Sequence, residues 1–279
     1  MKYLKVPCVA SVVVTILVAA GMALPLRALA DSAEPPASIQ HNTGYMIAAR
    51  SDRTDRGFGD SQVDLQMILR NKAGQVTTRE LAIATYELPD EEVGDKSLVV
   101  FNTPRDIEGT ALLSYARILE PDDQWLYLPA LKRVKRISSA NKSGPFVGSE
   151  FAFEDFTSLE LNKFTYDFLG EEQWNGMTVD VVERRPRYEN SGYTRQVAKI
   201  DQDIYQIREV QFYDRRGDLL KTLTLDDYRQ YGDGIWRAHQ LHMVNHQTGK
   251  STDLVYGDYA FNTGLGEDDF VKGRLTRLQ

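Results

Sequence analysis

From Ser61 onward, apolar and polar residues alternate with a period of two. Val63, Leu65, Met67 and Leu69 alternate with Asp64, Gln66 and Arg70, the signature of a half-buried strand. Asn71-Lys72-Ala73-Gly74 supplies a turn, and residues 77–88 return as a second strand. Residues 97–101 and 109–119 follow, parted by a loop at Pro104, and then comes 125–131, apolar on both faces. Phe164, Tyr166 and Phe168 alternate with Thr165 and Asp167. Asn175-Gly176 then marks a tight hairpin into Met177, Val179 and Val181. Further strands are predicted over 193–200, 205–214, 219–228, 235–245 and 252–261. Helix is expected only over 39–52, with Tyr45, Met46 and Ala49 as its apolar stripe, and over 269–278, with Phe270, Leu275 and Leu278 on one side. Roughly ten or eleven strands with so little helix between them predict an antiparallel sheet curled into a barrel or part-barrel.

The N-terminus changes where this sheet must fold. Lys2 and Lys5 precede an apolar run from about Val9 to Leu26, and Ala28-Leu29-Ala30 stands before Asp31. That is the pattern of a cleaved export signal over residues 1–30; an uncleaved membrane anchor is the minor alternative. A polar linker, 31–38, carries Pro35-Pro36, and 39–279 reads as one domain. The single cysteine, Cys8, lies inside the signal, so the mature chain has no disulfide framework and no cysteine at the cleavage point to carry a lipid. The whole chain has a net charge of −7; losing a signal with three basic residues and no acid takes it to −10. Such a surface disfavours nucleic acid and anionic membrane as general partners.

The most distinctive stretch runs from Gln124 to Phe156. An apolar strand is followed by the basic residues Lys132, Arg133, Lys135 and Arg136, then by a small-residue hinge over 138–144, then by a segment carrying Phe151, Phe153 and Phe156. Ser149 is placed to cap a short helix there, with Glu150, Glu154 and Asp155 near its positive end. The two-faced strand is read either as a core strand covered on one side or as a cavity wall. The Phe-rich segment is read either as core or as a movable cover. The basic run is read either as a solvated, aggregation-resistant edge or as a docking surface for anionic headgroups or an acidic partner.

Two runs carry a family resemblance: Gly94-Asp95-Lys96-Ser97 through Phe101-Asn102-Thr103-Pro104-Arg105-Asp106-Ile107-Glu108-Gly109-Thr110, and Trp125-Leu126-Tyr127-Leu128-Pro129-Ala130-Leu131-Lys132-Arg133-Val134-Lys135-Arg136-Ile137. With Gly148-Ser149-Glu150-Phe151 and Glu154-Asp155, they resemble the outer-membrane lipoprotein-sorting family with a LolA/LolB-like fold. Val147, Glu150 and Phe153 depart from the Met, Asp and Tyr of that pattern. The resemblance implies a periplasmic protein built on a strongly curved antiparallel sheet, an incompletely closed barrel whose concave face is covered by short helices around an acyl-chain cavity. It implies a non-catalytic carrier of lipoprotein acyl chains or other lipids, with an outer-membrane acceptor or an inner-membrane RND-type lipid exporter as partner. In the well-understood lipoprotein carrier a strand arginine latches the lid; the sequence alone does not place its equivalent here.

On that basis the cavity reading is favoured. The expected lipid-binding residues are Met67, Leu69, Trp125, Tyr127 and Leu128 in the wall and Phe151, Phe153 and Phe156 in the cover. Lys132, Arg133, Lys135 and Arg136 are the docking candidates. An acyl chain of roughly fifteen methylenes, at about 0.8 kcal/mol each, carries on the order of 12 kcal/mol of exposure penalty in water, which apolar walls and a cover would offset. No cofactor and no metal are expected. His242 and His246 share a strand face but stand roughly 13 Å apart, with His239 on the other face. No G-x-S-x-G, phosphate-loop or zinc-helix pattern is present. An accessory module docking on an exporter is the alternative function, and a hydrolase with dispersed carboxylates the remote one.

Overall fold

The computed structural model describes residues 38–88, 93–118, 120–232 and 234–277. The predicted export signal over 1–30, residues 31–37 of the predicted linker 31–38 and Leu278 of the predicted C-terminal helix lie outside these described residues. Helix α1 spans Ser38–Arg53. The strands, in chain order, are β1 (Asp60–Arg70), β2 (Val76–Tyr86), β3 (Val93–Thr103), β4 (Ala111–Arg117), β5 (Asp123–Leu128), β6 (Arg133–Arg136), β7 (Phe164–Trp174), β8 (Met177–Pro186), β9 (Arg195–Asp201), β10 (Ile207–Tyr213), β11 (Leu219–Tyr231), β12 (Ile235–Asn245), β13 (Lys250–Tyr256) and β14 (Ala260–Phe261). Short 3₁₀ turns take the places where helices were expected in the Phe-rich segment and at the C-terminus.

All strands join one antiparallel sheet in the order β6-β5-β4-β3-β2-β1-β13-β12-β11-β10-β9-β8-β7, with β14 pairing β1 beside this path. Two meanders are therefore built, β1 to β6 and β7 to β13, and they are stitched by the β1–β13 pairing, where Met67 faces Leu254. The sheet is open: β6 and β7 are its two ends and do not pair with each other. Strand counts differ from the sequence reading for local reasons. The basic run forms β6 despite its polarity, because the β5 backbone needs a partner on that side. The predicted strand at 125–131 stops at Leu128, since Pro129 lacks an N–H and opens a 3₁₀ turn instead. Residues 252–261 split into β13 and β14 around Gly257.

Each strand contributes alternate residues to opposite faces. One face forms the larger core: Leu65 and Met67 of β1, Val99 and Phe101 of β3, Val182 of β8, Phe212 of β10 and Leu254 of β13 pack with Phe146 and Phe151 of the intervening segment. Strands from both meanders share that core, so the Phe-rich segment lies between them. The other face of β2 to β5 carries a smaller core. There Leu113 and Tyr127 pack with Phe270 and Leu275 of the C-terminal turns.

Helix α1 packs on β7 and β8. Among its described side chains Gly44 and Ala49 are buried and Ile47 and Ala48 half-buried; Tyr45 and Met46, expected in its apolar stripe, are exposed. Gly44 explains the rotation. A Cβ there would stand 2.9 Å from the backbone of Asp167 and Phe168, so the missing side chain is what lets the helix axis approach β7. Tyr45 instead lays its ring edge-on to Tyr166, centroids 6.0 Å apart.

Candidate functional site: a two-lobed cavity beneath a pinned aromatic segment

Between α1, the inner face of the sheet and residues 156–161 lies a cavity of about 430 Å³, within the range of small-ligand sites. Its apolar lining includes Val63, Ile83, Val99, Phe156, Val182 and Ile200. A smaller lobe of about 210 Å³ adjoins it, lined by Phe151, Phe164, Val210, Phe212, Leu223 and Leu254 among others. Both lobes share Phe156, Thr157, Ser158, Leu159, Arg184, Ile207, Leu225, Leu241 and Tyr256.

Charged residues edge the larger lobe and tie three elements together. Arg56, just past α1, donates through Nε to Asp52 Oδ2 (2.6 Å) and through Nη2 to Glu160 Oε2 (3.2 Å). The backbone N–H of Asp95 on β3 donates to the other Glu160 oxygen at 3.1 Å. Asp95 itself loses solvent on burial and sits near Glu160 and Glu87, which together raise its pKa to about 6 despite a hydrogen bond from Leu88. At the far side, Arg237 is ion-paired with Asp55 and lies over the rings of Phe58, Tyr259 and Phe261. Burial lowers its pKa to about 10.

The Phe-rich segment is anchored from every side. Lys221 of β11 donates to Asp155 Oδ2 (2.6 Å) and to the Glu150 carbonyl (2.9 Å), with both charged side chains buried. Asn245 donates to Glu150 Oε2 at 2.7 Å, and the Glu150 N–H reaches Thr252 Oγ1 at 3.0 Å. Glu154 accepts from Ser191 Oγ, Tyr188 Oη and the Gly192 N–H. Burial first, and then the neighbouring Asp155, push the Glu154 pKa up, while those three donors oppose the rise. Arg79 on β2 donates to the Val147 carbonyl at 2.6 Å, and Gln124 Nε2 to the Phe153 carbonyl at 2.8 Å.

This geometry corrects the expected capped helix. Ser149 is buried and donates to the carbonyls of Phe146 and Phe151, while Asp155 caps the 3₁₀ turn by accepting from the Ala152 N–H. Glycines at 144 and 148 do not act as loose flanks. The Gly144 carbonyl accepts from Phe153, and Gly148 makes a turn with φ of 78°. The less anchored part of the cover is the extended stretch 157–159, where Leu159 is 44% exposed.

The expected site residues are distributed as follows. Phe156 lines both lobes, Phe151 lines the smaller one, and Phe153 packs edge-on to Phe146 without lining either. Met67 is wholly buried in the larger core and Leu69 packs against it. Trp125 and Tyr127 belong to the smaller core on the opposite sheet face, under Phe270 and Leu275, and so stand away from the cavity. Leu128, half-buried, lines neither lobe. Lys132, Arg133 and Lys135 are exposed along the terminal strand and the turn before it; Arg136 is exposed too but pairs with Asp123 Oδ1 at 2.5 Å.

Tyr166, Arg184 and Ile200, not among the expected site residues, come to the cavity because their strands alternate. His239 is buried between Tyr231 and the Tyr256 carbonyl, His242 pairs with Asp253, and His246 bonds Thr222. No cluster of three potential metal ligands exists among the described residues. No helix among them is long and apolar enough to cross a membrane.

Comparison with solved structures relates this open antiparallel sheet to known proteins. A domain from Vibrio parahaemolyticus named for outer membrane lipoprotein sorting is 50% identical, with a TM-score of 0.82, over 85% of this chain and 100% of its own. A DUF1329 family protein from Desulfovibrio piger is 29% identical (TM-score 0.80; 85% and 99% covered). A LolA superfamily protein from Nitrosomonas europaea shares the fold at 18% identity (TM-score 0.68; 82% and 98% covered). A family profile described only as an uncharacterized protein matches residues 94–277. No curated protein matches the sequence. The chain thus belongs to the outer membrane lipoprotein-sorting protein family, within the LolA-like fold.

Proposed function

We propose that this protein is a periplasmic carrier. It holds an acyl chain of a lipoprotein or another lipid in the two-lobed cavity and passes it between membranes without covalent chemistry. The observation that supports this reading best is the continuity of the two apolar lobes across Phe156, Leu225, Leu241 and Tyr256, with the weakly anchored residues 157–159 over both. Burying an alkyl chain there recovers about 0.8 kcal/mol per methylene, and displacement of 157–159 leaves the anchored aromatic segment in place. Transfer then rests on differential affinity at donor and acceptor.

Native mass spectrometry of protein taken gently from its own periplasm, followed by solvent extraction, tests the reading: an acylated peptide, a phospholipid or a free fatty acid should be recovered. Phe156→Asp should abolish uptake of a fluorescent fatty acid while shifting the thermal midpoint little, since Phe156 is only half-buried. Equal loss of folding and binding, or a protein free of lipid that takes none up, would overturn it.

A second reading is supported by the exposed basic edge on an otherwise acidic chain. Lys132, Arg133 and Lys135 would dock the protein on an inner-membrane exporter or on anionic headgroups. Replacing these three by Gln should abolish co-purification with such a partner and leave lipid uptake unchanged.

A further inference from the structure

The geometry points to Arg184 as an anion-recognition residue inside the cavity, so that the cargo is a single-chain amphiphile with a carboxylate end, bound with that end inward. This rests on the carrier reading and narrows its ligand.

Arg184 lies on β8 with Tyr166 opposite it on β7 and Gln196 opposite it on β9. It lines both lobes, at their junction, and is 7% exposed. Its Nε donates to Gln196 Oε1 at 2.7 Å, and its guanidinium carbon lies 5.2 Å from the Phe164 ring centre. No carboxylate pairs with it among the described residues. The acids that could reach it are committed elsewhere: Asp155 to Lys221, Tyr193 and the Ala152 N–H, and Glu154 to Ser191, Tyr188 and Gly192. The other cations of the cavity lining are matched, Arg56 with Asp52 and Glu160, Arg237 with Asp55, and Lys163 with Asp122.

A buried guanidinium stays charged and is costly without a counter-charge, so an apolar side chain would serve the fold better at this position. Its four Nη N–H groups make no hydrogen bond to the described residues. With Nε occupied, the two Nη groups present the end-on fork that accepts both oxygens of one carboxylate. A single unmatched positive charge suits a monoanion. The apolar walls on either side of Arg184 then take the alkyl chain.

The test compares three ligands of equal chain length on the delipidated protein: dodecanoate, its methyl ester and dodecyl phosphate. Isothermal calorimetry is run on the wild type, on Arg184→Met, and on Gln196→Leu, which keeps the guanidinium but frees Nε. Dodecanoate should bind the wild type at least about tenfold tighter than the ester, given the strength of hydrogen bonds to charged groups. Arg184→Met should erase that preference while keeping ester affinity, and Gln196→Leu should keep the preference. Equal affinity for acid and ester on the wild type overturns the role of Arg184 but leaves the carrier reading intact; this comparison stands even if a variant fails to fold. Tighter binding of dodecyl phosphate overturns the assignment to carboxylates. Binding of none of the three overturns the carrier reading itself.

Discussion

Two side chains set how firmly the middle of the molecule is held. Lys221 and Asp155 form an ion pair with 3% and 8% of their side chains exposed. Removing one partner strands the other charge, so Lys221→Met should cost about 3–5 kcal/mol in urea unfolding, and adding Asp155→Leu should recover much of that loss. Asp95 works in the opposite sense. Its carboxyl ionises near pH 6 in the folded protein and near 3.8 otherwise, so the folded state binds the extra proton between those values. Stability therefore falls as pH rises through that window, and the penalty is fully present above it. Asp95→Asn, which can still accept from Leu88, should raise stability by about 1–2 kcal/mol at pH 7.5 and by almost nothing at pH 3.5; thermal midpoints at the two pH values check this. Neither effect was legible beforehand. Asp155 and Asp95 stand in family motifs, but the sequence holds no sign that Lys221, 66 positions after Asp155, or Glu160 would be their neighbours.

Among elements, periodicity of two located most strands, because alternating residues must face a core or solvent wherever one face is covered. It missed β6, whose residues alternate too little, and it overran at Pro129, where the ring chemistry was visible but was outweighed by the apolar run. It left the two-faced strand β5 open between core strand and cavity wall, and the family resemblance favoured the wall; its second apolar face is covered by the C-terminal turns through Phe270 and Leu275. That covering is a tertiary fact with no local marker. Helix α1 shows the same limit. Its span was predicted closely, yet its buried face turns on Gly44, a residue that apolar patterning ignores. Gly44→Ala should push α1 off β7 and lower the thermal midpoint, with a cost of about 1–3 kcal/mol typical of overpacking. An alanine at exposed Met46 is the control and should change little.

At the scale of the whole molecule, family motifs carried the fold, and the cavity was foreseen as a property of that fold rather than of the residues named for it. Phe156 and Phe151 do line it; the rest of the lining comes from α1, from β1 to β3 through Val63, Ile83 and Val99, and from β7 to β13. The cavity thus draws on two meanders that are far apart in the chain and adjacent in space. Among the described residues, the strand-to-strand seam between them joins β1, near the start of the described chain, to β13, near its end. The first meander can zip as it emerges, but its β1 edge stays unpaired until residues beyond 250 arrive. Such long-range closure is slow and leaves an adhesive edge exposed meanwhile. Completion is therefore reported by the last strands, so nascent or C-terminally clipped copies present an open seam that chaperones and proteases can recognise.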